Sequence, residues 1–170
     1  MTVQEARDKV LYLFDDPTTV TDYDARIYPL MDSVQTDIVT TVKPIRKTAN
    51  VTATGRKITV PADCYEVVRV LDANYYAVPR WIIADGEVMV EADGAYILQY
   101  NAYAVPIVDE TSEFSIPLEC QEALVYGVAA ALVNDEAQYD VYLAKYNNML
   151  ANIFNRDRSH ATVIPGRGGF

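Results

Sequence analysis

Histidine, cysteine and basic residues are scarce in this sequence, and each scarcity removes a class of function. The one histidine, His160, lies in a glycine-rich C-terminal stretch. A Ser-His-Asp or Cys-His centre needs its base held beside the nucleophile, so neither is expected. The two cysteines, Cys64 and Cys120, are far apart and form no C-x-x-C pair. With a single histidine they also lack the number and spacing of zinc ligands, and they read as free thiols in a reducing compartment. No catalytic, cofactor or metal site is therefore expected.

Long apolar runs are missing too. No stretch approaches the ~20 apolar residues that cross a bilayer. The start, MTVQEARDKVLYLFDD, places acids and bases where a signal peptide needs an apolar run. The expected location is the cytoplasm, or a particle assembled there. Fourteen bases stand against twenty-four acids, for a net charge of -10. Gripping duplex DNA requires clustered Lys and Arg to displace counterions, so a nucleic-acid-binding module is disfavoured. An acidic surface does suit the wall of a conduit through which DNA slides. The 51% apolar content is enough to bury a core.

What is present reads as α+β. Residues 2–14 form an amphipathic pattern in which Thr2 and Glu5 have capping-box spacing, and Asp15-Asp16-Pro17 ends it. Tyr23, Ile27, Leu30, Val34, Ile38 and Val42 make a second helical stripe that ends at Lys43-Pro44. These two helices are expected to pack as an antiparallel hairpin. Between 50 and 105 the pattern becomes β-rich. Short strands are predicted on either side of Gly55, at Val67–Leu71, Trp81–Ile83, Glu87–Val90 and Tyr96–Tyr100, with turns at Asp85-Gly86 and Asp93-Gly94. They read as one small antiparallel meander inserted between helices. Helix returns after Phe114, breaks at Asn134-Asp135-Glu136, and resumes with Tyr139, Tyr142, Leu143, Tyr146, Met149, Leu150 and Ile153 at three-four spacing. Residues 155–170 carry three arginines, one acid, a proline and three glycines, and read as an extended arm. The body without that arm has a charge of -12, so body and arm are of opposite sign. The domain plan is thus one domain over 1–154, helical at 1–44 and 114–154, with the arm following.

Carboxylates cluster at Asp15-Asp16, Asp22-Asp24 and Asp135-Glu136, all at helix starts or turns, where acids cap N–H groups and oppose the helix dipole. The thirteen tyrosines are flanked mostly by acids or apolar residues rather than bases. That favours core and protein-interface roles over a stacking platform for single strands. Tyr139, Tyr142 and Tyr146 are the candidates for an interface between copies.

Two runs carry a family resemblance. Phe114-Ser115-Ile116-Pro117-Leu118-Glu119-Cys120-Gln121-Glu122-Ala123-Leu124-Val125-Tyr126 resembles the entry to the C-terminal helices of head–tail connector adaptors of tailed bacteriophages and gene transfer agents. Val60-Pro61-Ala62-Asp63-Cys64-Tyr65-Glu66-Val67 resembles a strand entry of tail-tube and adaptor proteins of short-tailed phages. The order of parts resembles that family along nearly the whole chain. The resemblance implies a mainly helical bundle in a virion protein of the neck, assembled as a homo-oligomer ring of about twelve copies beneath the portal protein. DNA would pass through it without specific binding, and a downstream tail or neck protein would contact the other face. Arg156, Arg158, His160, Val163, Ile164, Arg167 and Phe170 of the arm would then bind the portal. A tail-side nozzle, completion or stopper protein is the structural alternative, and a small cytoplasmic enzyme the remote one.

Overall fold

The computed structural model describes residues 1–13 and 20–160, with side chains throughout except at 20–22, 24 and 157–160. Among the described residues, four helices and two antiparallel sheets make a mixed α+β fold. It divides into two compact units, a helical one built from 1–43 and 105–170 and a β unit over 44–104.

In the helical unit, α1 (Val3–Tyr12) opens with the expected capping box. The Thr2 side chain accepts from the Glu5 N–H, and the Glu5 carboxylate accepts from the Thr2 N–H. Next, α2 (Val20–Thr41) continues past Pro29, which lies inside it. The third helix, α3 (Leu118–Leu132), is apolar on nearly every side, as a central helix must be. α4 (Glu136–His160) completes the unit. The expected α1–α2 hairpin is not what forms, because both helices pack chiefly on α3, as does α4. Exclusion of water from three sides of α3 outweighs pairing between sequence neighbours. Gly127 permits this close approach, since a Cβ there would lie 2.9 Å from Val34 and 3.1 Å from the Tyr146 ring.

The C-terminal boundary also differs from expectation. Helix continues through 155–160, so an extended arm cannot begin before 161. Residues 155–160 contain neither glycine nor proline, and Arg156 anchors this last turn to Glu119 at 2.5 Å. Val163, Ile164, Arg167 and Phe170 lie outside the described residues.

The β unit is not a meander. β1 (Ile45–Ala53), β3 (Cys64–Asp72) and β6 (Gly94–Ala102) form one sheet in the order β1-β6-β3. β2 (Lys57–Thr59), β4 (Ile82–Ala84) and β5 (Glu87–Met89) form another in the order β2-β5-β4. Among the ladders only β4–β5 joins consecutive strands, through the Asp85-Gly86 turn, whose residues both have positive φ. The first half of β1, Ile-Arg-Lys-Thr-Ala-Asn, has no strand signature of its own and is a strand because β6 pairs with its whole length. The unit's core comprises Ile58, Val67, Val70, Val88, Leu98, Tyr100 and Ala102, with Trp81 packed partly against it.

Candidate functional site

The most enzyme-like grouping of side chains lies in the β unit around Asp63. The Lys47 ammonium sits 2.7 Å from Asp63 Oδ2, and the Tyr100 hydroxyl donates to Asp63 Oδ1 at 3.2 Å. Cys64 adjoins them, half-buried, and neither it nor the buried Cys120 is in a disulfide. The direction of each proton affinity decides what this group can do. The hydrogen bond from Lys47 holds the Asp63 carboxyl below its usual range, and the same bond raises the lysine. Burial pushes up both the Cys64 thiol and the Tyr100 phenol. A nucleophilic thiol or amine needs the opposite shift, towards its unprotonated form at neutral pH. The cluster is built to tie β1 to the 61–63 turn and stay in its resting protonation state. Among the described residues no group of three or more His, Cys, Asp or Glu is placed to hold a metal ion.

Exposed apolar side chains are the other candidates. In the helical unit, a groove of about 840 Å³ lies between α1 and α3, lined by Tyr12, Leu13, Leu118, Val125 and Tyr126. Its outer walls are open to solvent, with Tyr12 83% and Leu118 68% exposed. Glu5, Asp8 and an ion pair between Lys9 and Glu122 form its polar edge. The Lys145 ammonium sits 5.0 Å above the Tyr126 ring, a cation–π distance.

In the β unit the display is of another kind. Asp72 folds the 72–76 loop by accepting from the Asn74 and Tyr76 N–H groups at 2.8 and 2.9 Å. The loop holds Tyr75 at φ 67°, an uncommon region for a residue with a Cβ. Tyr75 and Tyr76 emerge 74% and 72% exposed. Farther along, β4 forms the edge of its sheet with Ile82 and Ile83 both more than half exposed. Successive strand residues point to opposite faces, so β4 leaves apolar side chains on both of its faces and one open backbone edge.

Of the tyrosines singled out from sequence, only Tyr139 is exposed, at 42%. Tyr142 donates to the Leu13 carbonyl at 2.8 Å and tilts against Tyr126. Tyr146 is buried and donates to Asp37 at 2.8 Å, and burial raises its phenol strongly. These two therefore make contacts within the chain. Arg156 is engaged by Glu119, and the side chains of Arg158 and His160 lie outside the described residues. Sequence reading missed Tyr12, Tyr75, Tyr76, Ile82 and Ile83. The adjacent tyrosines and adjacent isoleucines break strand alternation, and that was the available signal. The sequence matches no known protein-family profile and no curated protein sequence.

Proposed function

We propose that this protein is a structural subunit of a tailed-phage-type particle, an adaptor that joins the portal vertex to the tail and continues the DNA channel. In this reading the helices make a bundle that forms the ring body, the β unit is an appendage, and residues from 161 onward are an arm for the portal. The observation that carries it is that each unit separately exposes large apolar side chains, Tyr12 and Leu118 in one and Tyr75, Tyr76, Ile82 and Ile83 in the other. Such side chains gain free energy when a partner covers them. The resemblance of the 60–67 and 114–126 runs to connector adaptors supports the same role.

The test is light scattering of the purified chain, alone and mixed with the portal protein of the same particle. The expected result is a complex with the mass of a ring on the portal, lost when residues 161–170 are removed although the truncated chain still melts cooperatively. A chain that bypasses the portal and binds a tail component would move the assignment to a tail-side nozzle, completion or stopper protein. Binding to neither would sink the connector reading.

A further inference from the structure

The third strand of the larger sheet is irregular in a way that has a chemical result. Cys64 pairs with Ala102 and Glu66 with Asn101, so Tyr65 is an extra residue. Val67 pairs with Tyr100 and Arg69 with Gln99, so Val68 is a second one. Each β-bulge shifts the alternation by one. The core side of β3 thereby becomes Cys64, Val67 and Val70, a period of three. Without the second bulge Arg69 would stand opposite Leu98, inside the core. With it, Arg69 stands opposite Gln99 on the open face, in one cross-strand row with Thr48 of β1. Arg46, two residues before Thr48, shares that face.

Arg46, Thr48, Val68, Arg69 and Gln99 line a groove of about 490 Å³. Ladder spacing puts the two arginine Cα atoms roughly 12 Å apart, close enough for both guanidiniums to reach a pair of carboxylates between them. Lys47 and Lys57 are neutralised by Asp63 and Glu87. Arg46 and Arg69 have no ion pair among the described residues. Glu66 shares the face, with one carboxylate oxygen accepting from the Asn101 amide at 2.6 Å.

Charge is divided unevenly over the chain. Residues 44–104 carry six bases and seven acids, and the remainder eight bases and seventeen acids. The complement to an unpaired arginine groove is therefore plentiful on the helical unit of another copy. The start of α4 has the matching form. Glu136 and Asp140 are exposed, four apart on one helical face, and have no ion pair among the described residues. Exposed Tyr139 and Val141 flank Asp140.

We propose that the Arg46–Arg69 groove of one copy receives Glu136 and Asp140 of a second copy, with Tyr139 beside Val68. Two different surfaces meet in this contact, so it repeats head to tail and can close a ring. It deepens the connector reading and rests on it. The experiment is sedimentation velocity of the full chain at low salt, from micromolar to near-millimolar concentration. The expected result is self-association that weakens as salt rises. Arg46→Glu with Arg69→Glu weakens it about tenfold or more, as does Glu136→Arg with Asp140→Arg, and mixing the two variants restores it. Arg80→Glu, a like change at another exposed arginine, leaves it unaltered, and unchanged melting shows that each variant is folded. Wild-type chain that stays monomeric throughout, or association that survives charge reversal, overturns the contact. In either case a ring that still forms on the portal would leave the connector reading standing.

Discussion

Gln35 sits in the middle of the buried stripe of α2 with no exposed surface, between Met31 and Ile38. Its amide accounts for the polar atom in that apolar place. Nε2 donates to the Val105 carbonyl at 3.1 Å and Oε1 accepts from the Ser115 N–H at 2.8 Å, clasping both ends of the loop before α3. Replacing it with leucine leaves a donor and an acceptor without partners, so Gln35→Leu should cost about 1–3 kcal/mol and hasten proteolysis within 105–117. Urea titration together with limited Glu-C digestion, which cuts at Glu110 and Glu113, checks this. At Gly127 the obstacle is steric. Gly127→Ala forces a Cβ against Val34 and Tyr146, with an expected loss of about 1–3 kcal/mol despite the better helix propensity of alanine. A melting temperature equal to wild type would show that α2 and α4 can yield there. Acid sensitivity belongs to the same scale. Asp109 is held below its usual range, first by the hydrogen bond from the Thr111 hydroxyl, as Asp63 is by Lys47. A depressed carboxyl stabilises the fold above its unfolded pKa and loses that effect as pH falls through its folded pKa. The urea midpoint should therefore hold from pH 7 to about 5 and drop below about 4, less steeply in Asp109→Asn.

At the scale of elements, β3 shows most clearly how pattern and structure part. Its sequence, Cys-Tyr-Glu-Val-Val-Arg-Val-Leu-Asp, was legible as a strand from its β-branched residues, but a period of two gives the wrong face for Arg69. The two bulges supply the missing residue counts, and they are visible only once β6 is paired alongside. Removing an extra residue should therefore restore a plain alternation without moving the others to new partners. Deleting Val68, the second extra residue, leaves Val67 opposite Tyr100, Arg69 opposite Gln99 and Val70 opposite Leu98, so the β unit is expected to keep its fold, with Trp81 emission as in wild type. Val68→Ala, at a half-exposed site, should stay within about 0.5 kcal/mol of wild type. The helices gave a similar lesson. α1 and its capping box could be read from Thr2, Glu5 and the apolar spacing, because those interactions are local. The preference of α1 and α2 for α3 over each other could not, because an amphipathic stripe states that a face is buried and not against what.

For the molecule as a whole, the decisive feature is interruption. The helical unit is drawn from two separated stretches, whereas the β unit is one continuous run of chain. Completing the helical core requires residues 43 and 105 to meet across sixty-one intervening residues, and that loop closure is less costly once the insert is compact. Trp81, the only tryptophan, lies in the β unit, and most helical signal comes from the other. In stopped-flow refolding Trp81 fluorescence is expected to recover before ellipticity at 222 nm completes. Helical signal that finishes first would refute that order.

The sequence by itself determined the mixed α+β class, the described helices, most strand positions, the acidic charge, and the scarcity of histidine and cysteine. All of these follow from composition or from interactions within a few residues along the chain. Tertiary structure alone decided that β6 stands between β1 and β3, that α3 is the helical centre, and that Tyr142 and Tyr146 face inward while Tyr139 faces out. It also decided that Arg46 and Arg69 share one open face. Each of these depends on which distant segment takes up a free backbone edge or an apolar face, and the free energy of that choice lies in contacts between residues far apart in the chain.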